Sequence, residues 1–279
     1  MMRSLDCQWL MLALALSFGT PAFAGQYECS WLLEPLAFRF WSSQAGKPTA
    51  FDFDGLDGLS VASIKTEVTS PKGAEALNGY RLAPNDATQP VRGRLLVIQG
   101  NGHRASALLK PLSEIARSGL EIFIYDFRGY ANSDLGNPSA SQIIDDYRQI
   151  ITSTSSAIVL PYFIYGVSFG GVVALNAIQP KLRITKLVLD SVPDTLSRLG
   201  CPNSWDAKER AKIAKVPTFY IVAGKDTVVP KSSQLELIEA YTNKLGSKVA
   251  EASNSFHPFT PGAQEKERIK LLLEALRND

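Results

Sequence analysis

From residue 61 onward the chain alternates short apolar runs with stretches of helical period. VASIKTEV (61–68) and GYRLA (79–83) place apolar residues at alternate positions, the pattern of strands buried on one face. RLLVIQG (94–100), EIFIYDF (121–127), YFIYGV (162–167), KLVLDS (186–191) and TFYIVAG (218–224) are continuous instead, and rich in β-branched or aromatic residues. Such runs predict strands buried on both faces. Helical patterns separate or follow them in SASQIIDDYRQIITSTSS (139–156), SFGGVVALNAIQ (168–179), SSQLELIEAYTNKLG (232–246) and AQEKERIKLLLEALRND (263–279). The alternation predicts an α/β architecture: a mostly parallel sheet with an antiparallel start and helices on both faces.

Upstream, YECSWLLEPLAFRFW (27–41) concentrates aromatics and reads either as a helix packed on the core or as a flap over a substrate site. FDFDGLDGLS (51–60) reads as loops and turns. No repeat, low-complexity tract or linker interrupts the rest. Residues 191–215 are too few for a second domain and leave room for a minimal cap only.

The first 24 residues change the picture of where the chain works. Arg3 precedes an apolar stretch from Trp9 to Phe18 and a small-x-small ending at Ala22-Phe23-Ala24. This predicts a signal peptide over 1–24 and one domain over 25–279, placing the mature protein in the periplasm or outside the cell. The apolar stretch is about half of the roughly 20 residues a spanning helix needs, so no stable membrane anchor is expected. Of three cysteines, Cys7 would leave with the signal; Cys29 and Cys201 would remain, in a compartment where disulfides persist, as a possible bridge. The net charge of +2 and the absence of basic runs exclude a nucleic-acid surface and point to a small-molecule partner. Two histidines and scattered cysteines supply no metal-ligand spacing, and no nucleotide-binding loop occurs, so neither metal nor cofactor is expected.

In a parallel sheet, ligands bind beyond the carboxyl ends of the strands, so the residues that follow each apolar run carry the chemistry. Gly166-Val167-Ser168-Phe169-Gly170 ends a buried run and opens an apolar helix. A strand that turns this sharply projects the turn hydroxyl into the crevice and needs glycines on either side. A serine is a poor nucleophile until a base takes its proton. His257, in EASNSFHPF (251–259), follows the last short strand and is the candidate base; His103, in GNGHR, reads as structural or substrate-side. The acid that orients the histidine is predicted to be Asp226 from the order serine, acid, histidine, with Asp190 and Asp194 after the preceding strand as competitors.

This ordered set, with GNGHR after the third strand, YDFRGYANSD after the fourth and YGVSFGG at the elbow, resembles the α/β-hydrolase superfamily. It is most similar to the branch of Bem46-like and serine-aminopeptidase-like hydrolases. Gln99 stands where that branch commonly has histidine, and Ala131 where it commonly has glycine. The resemblance implies the α/β-hydrolase fold, an oxyanion hole made by the amides of Asn101 and Phe169, and a structural ion pair of Asp126 and Arg128 in the DFRG turn. The expected activity is an exported serine hydrolase that cleaves an ester, thioester or amide through an acyl-enzyme. An acyltransferase with the same intermediate, or a catalytically silent binding protein of the same fold, remains open.

Overall fold

The computed structural model describes residues 29–30, 33–70, 73–85, 90–133, 138–156, 159–197, 200–241, 246–260 and 265–277. The predicted signal segment lies outside them. The seven runs become β1 (Leu59–Ser70), β2 (Gly73–Pro84), β3 (Gly93–Ile98), β4 (Leu120–Tyr125), β5 (Tyr162–Val167), β6 (Lys186–Asp190) and β7 (Thr218–Ala223), and the last short strand is β8 (Lys248–Ala252). They form one sheet in the order β1-β2-β4-β3-β5-β6-β7-β8. The pairs β1–β2 and β2–β4 are antiparallel and the remaining pairs parallel.

The helices are α1 (Leu33–Ala45), α2 (Ser113–Arg117), α3 (Ala140–Ser156), α4 (Phe169–Ala177), α5 (Ala207–Ile213), α6 (Lys231–Glu239) and α7 (Glu265–Ala275). They divide the core into two buried layers. Phe127, Tyr147, Ile164, Val172, Leu189 and Tyr220 belong to one, and Leu95, Ile115, Ile122, Phe163, Val188 and Leu272 to the other. Successive residues of β5 alternate between these layers, which is why its run is apolar throughout: all six of its residues are buried.

The hairpin β1–β2 is longer than its sequence pattern predicts, because AEALN (74–78) offers little apolar signal while its backbone pairs continuously with Lys65–Thr69. The insertion after β6 is small, consisting of a short 3₁₀ turn (Asn203–Trp205) and α5. Cys29 and Cys201 form a disulfide that ties the chain just before α1 to this insertion. Among the described residues, no helix is long and apolar enough to cross a membrane.

Candidate active site

Ser168 sits between β5 and α4 with φ 52° and ψ −123°, a conformation that a residue with a side chain avoids. Its N–H donates to the Asp190 carbonyl at 2.9 Å, and its own carbonyl accepts the Gly171 N–H at 2.9 Å, so the turn is held from both sides. The neighbouring glycines are there for space. A Cβ on Gly170 would lie 2.1 Å from the Ile98 carbonyl oxygen; one on Gly171 would lie 2.1 Å from Val192 Cγ2; one on Gly166 would lie 2.6 Å from the Gly171 Cα. Any side chain at these positions would push α4 off the sheet.

Two strands away, Asp226 follows β7. Its Oδ2 accepts from His257 Nδ1 at 2.8 Å, and its Oδ1 accepts the Val228 and Val229 amides at 2.8 and 2.9 Å. A carboxylate oxygen only accepts, so Nδ1 carries the proton, and in the neutral imidazole this leaves the lone pair on His257 Nε2. Both side chains are buried. The competing acids are engaged elsewhere. Asp190 accepts from Tyr165 Oη at 2.7 Å, Arg268 Nε at 2.7 Å and Ser191 Oγ at 3.0 Å. Asp194 is bonded to Ser233 Oγ and lies 3.5 Å from Lys208 Nζ.

The loop after β3 packs directly on the elbow: a Cβ at Gly100 would lie 3.4 Å from Ser168 Cβ and 3.4 Å from His103 Nδ1. Gln99 staples this loop by donating to the His103 carbonyl at 3.0 Å, and Tyr130 Oη reaches Asn101 Oδ1 at 3.3 Å. Gly100, the residue before Asn101, is thereby held against the serine. Phe169 opens α4, where a helix leaves its first amides without an intrahelical acceptor. His103 meets the Phe259 carbonyl through Nε2 at 3.3 Å, joining this loop to the one bearing His257, and burial pushes its pKa down, favouring the neutral ring.

The aromatic segment before the sheet bears out the core-helix reading of its sequence. Phe38 of α1 is in the core, and there it meets the Phe169 ring edge-on at 5.7 Å between centroids. Thus α1 is a core helix that also packs on the elbow. Its last residue, Ala45, accepts from Arg104 Nη1 at 3.0 Å, while Arg104 pairs with Asp52 at 2.7 Å.

The DFRG turn corrects one expectation. Arg128 does not pair with Asp126; it bonds Asp146 through two nitrogens, at 2.6 and 2.8 Å, and also bonds Glu75. A bidentate partner on α3 satisfies a guanidinium fork better than a carboxylate two residues away on a tight turn. Asp126 instead accepts the Ala105 amide at 2.7 Å, and burial raises its pKa to about 6. Sequence reasoning missed Arg268, whose Nη2 donates to the carbonyl of Phe256 at 2.8 Å, next to His257. Among the described residues, no group of three or more His, Cys, Asp or Glu side chains is arranged to hold a metal ion.

Residues 89–192, which run from before β3 past β6 and include Asn101, Ser168 and Phe169, match the serine aminopeptidase S33 family. No curated protein matches the chain. Among solved structures, an esterase of Pyrococcus furiosus aligns at 18% identity and TM-score 0.64, covering 83% of this chain and 94% of its own. A cold-adapted esterase from an Arctic intertidal metagenomic library aligns at 16% identity and TM-score 0.59, covering 79% of this chain and 96% of its own. A bromoperoxidase of Bacillus anthracis aligns at 14% identity and TM-score 0.61, covering 77% of this chain and all of its own. With its sheet order, its strained serine turn after β5 and these structural matches, the chain has the α/β-hydrolase fold.

Proposed function

We propose that the protein is an exported serine hydrolase that cleaves a small-molecule ester, thioester or amide through an acyl-enzyme. The observation that carries this reading is the buried His257–Asp226 bond at 2.8 Å, on the same carboxyl edge of the sheet as the strained Ser168 turn. In the proposed reaction, Ser168 Oγ attacks the substrate carbonyl carbon while His257 Nε2 takes its proton. The developing oxyanion is received by the amides of Asn101 and Phe169, which need no particular side chain because backbone donors fixed in place suffice. The imidazolium, stabilised by Asp226, then protonates the leaving group, and water repeats the sequence to release the acid. The Cys29–Cys201 disulfide supports an oxidising, exported setting.

The test is twofold. A fluorophosphonate probe should label the wild-type protein and not Ser168→Ala, and a panel of p-nitrophenyl esters and aminoacyl amides should show turnover that the variant lacks. Absence of labelling would leave a silent binding protein. Transfer to added alcohols in preference to water would make the protein an acyltransferase.

A further inference from the structure

Resting on the serine-hydrolase reading, we propose that Arg268 and Asp190 form a positioning pair that fixes His257 relative to Ser168. Arg268 lies on α7 and is fully buried, as is Asp190 at the end of β6. The pair spans the site. Through its backbone carbonyl, Asp190 accepts the Ser168 N–H at 2.9 Å; through Oδ2 it takes Arg268 Nε at 2.7 Å. Arg268 then donates from Nη2 to the Phe256 carbonyl at 2.8 Å, one residue before His257. A continuous chain of three hydrogen bonds thus runs from the amide of the elbow serine to the backbone that carries the histidine.

Stability alone does not account for this arrangement. Removing two charges from water costs several kcal/mol per ion in a protein interior, and apolar replacements of such pairs are often neutral or stabilising. What the pair supplies is geometry. Tyr165 Oη and Ser191 Oγ complete the shell of Asp190, so its carboxylate has one orientation and holds the guanidinium in one plane. The far side of the same loop is fixed separately: Phe259 N–H donates to Glu265 Oε1 at 2.8 Å, and the Phe259 carbonyl meets His103. His257 is therefore clamped on both flanks, and Arg268 is the flank that communicates with the nucleophile strand.

Arg268→Lys is the diagnostic variant, because one ammonium can keep the Asp190 ion pair but cannot reproduce the fork that reaches the Phe256 carbonyl as well. Displacement of a catalytic group by about 1 Å costs on the order of 10²-fold. We expect kcat of Arg268→Lys to fall roughly 10- to 100-fold with KM within about twofold, and fluorophosphonate labelling to slow by the same factor. The far-downfield proton resonance of the His257–Asp226 bond should broaden. If Arg268→Lys does not fold, the charge-free pair Asp190→Asn with Arg268→Gln takes its place, with the same expectations. Wild-type and Ser168→Ala proteins run alongside. A folded variant with unchanged kcat, labelling rate and resonance overturns the positioning role while leaving the hydrolase reading intact; failure of the wild type to turn over or label refutes the hydrolase reading itself.

Discussion

Replacing Ser168 by glycine should make the protein inactive and more stable, and replacing it by alanine should make it inactive without the same gain. Ser168 holds φ 52° and ψ −123°, a region open to glycine and strained for residues with a Cβ by about 1–3 kcal/mol. Glycine relieves that strain but adds unfolded-state freedom, a penalty of about 0.5–1 kcal/mol. Alanine retains the Cβ and hence the strain. The glycine variant should therefore exceed the alanine variant by about 1 kcal/mol, which for a chain of this size is a rise of about 2–4 °C in Tm. Little packing changes, since only the small side chain at the turn is altered. Both variants should lose on the order of 10³-fold or more in kcat on any ester that the wild type hydrolyses. Differential scanning calorimetry of the three proteins beside an ester assay decides the matter. Equal Tm values for the alanine and glycine variants would refute the claim of stored strain, and near wild-type hydrolysis by either would refute the nucleophile.

The remaining expectations concern the acids and the disulfide. Asp226→Asn should lower kcat on the order of 10⁴-fold by presenting His257 in the wrong tautomer, with a small change in Tm, whereas Asp190→Asn should lower kcat by no more than the roughly 10- to 100-fold expected of the positioning pair and should also lower Tm, because it leaves the Arg268 charge buried without its partner; steady-state kinetics and thermal melts of both variants separate the two. Reducing the Cys29–Cys201 bond, which closes a separation of 172 residues, should lower Tm, the chain-entropy contribution being at most about 5 kcal/mol; two free thiols in the denatured, unreduced protein would show that the bridge is missing. Asp126, raised by burial from its ordinary value to about 6, binds its proton more tightly folded than unfolded, so its contribution is lost as pH rises from about 4 through about 6; wild type should lose up to about 3 kcal/mol more than Asp126→Asn across that window in pH-dependent melts.

Much of this was readable from the chain because the strands β3 to β7 are largely buried on both faces and their sequences are dominated by apolar residues. The elbow was readable for a related reason: Gly166, Gly170 and Gly171 are demanded by backbone and side-chain atoms of Ile98, Gly171 and Val192 that any such turn must approach. What could not be read depends on partners far away in sequence. Arg268 stands in EKERIKLLLEAL among residues of a charged, amphipathic helix, where an arginine reads as solvated, and nothing local reveals that it points at Asp190, 78 positions earlier. The family resemblance implies a pairing of Arg128 with its neighbour Asp126, yet Asp146 on α3 offers the geometry that a guanidinium prefers. The YECSWLLEPLAFRFW segment left core and flap as alternatives because sequence does not say that the part of the core it joins is Phe169 itself.

The division between the two strand-end aspartates follows from what surrounds each. Asp190 faces a guanidinium that is charged at every accessible pH, so its negative charge is already compensated and has little left to offer a histidine. Asp226 faces two backbone amides and one imidazole. Amides hold a carboxylate in place without neutralising it, so the full charge is available when the imidazole becomes imidazolium during proton transfer. An acid that must answer a transient charge cannot also be bound to a permanent one. Chain order alone made Asp226 the better candidate; the buried arginine on α7 supplies the electrostatic reason, and the same arginine ties the displaced competitor to the loop that Asp226 serves.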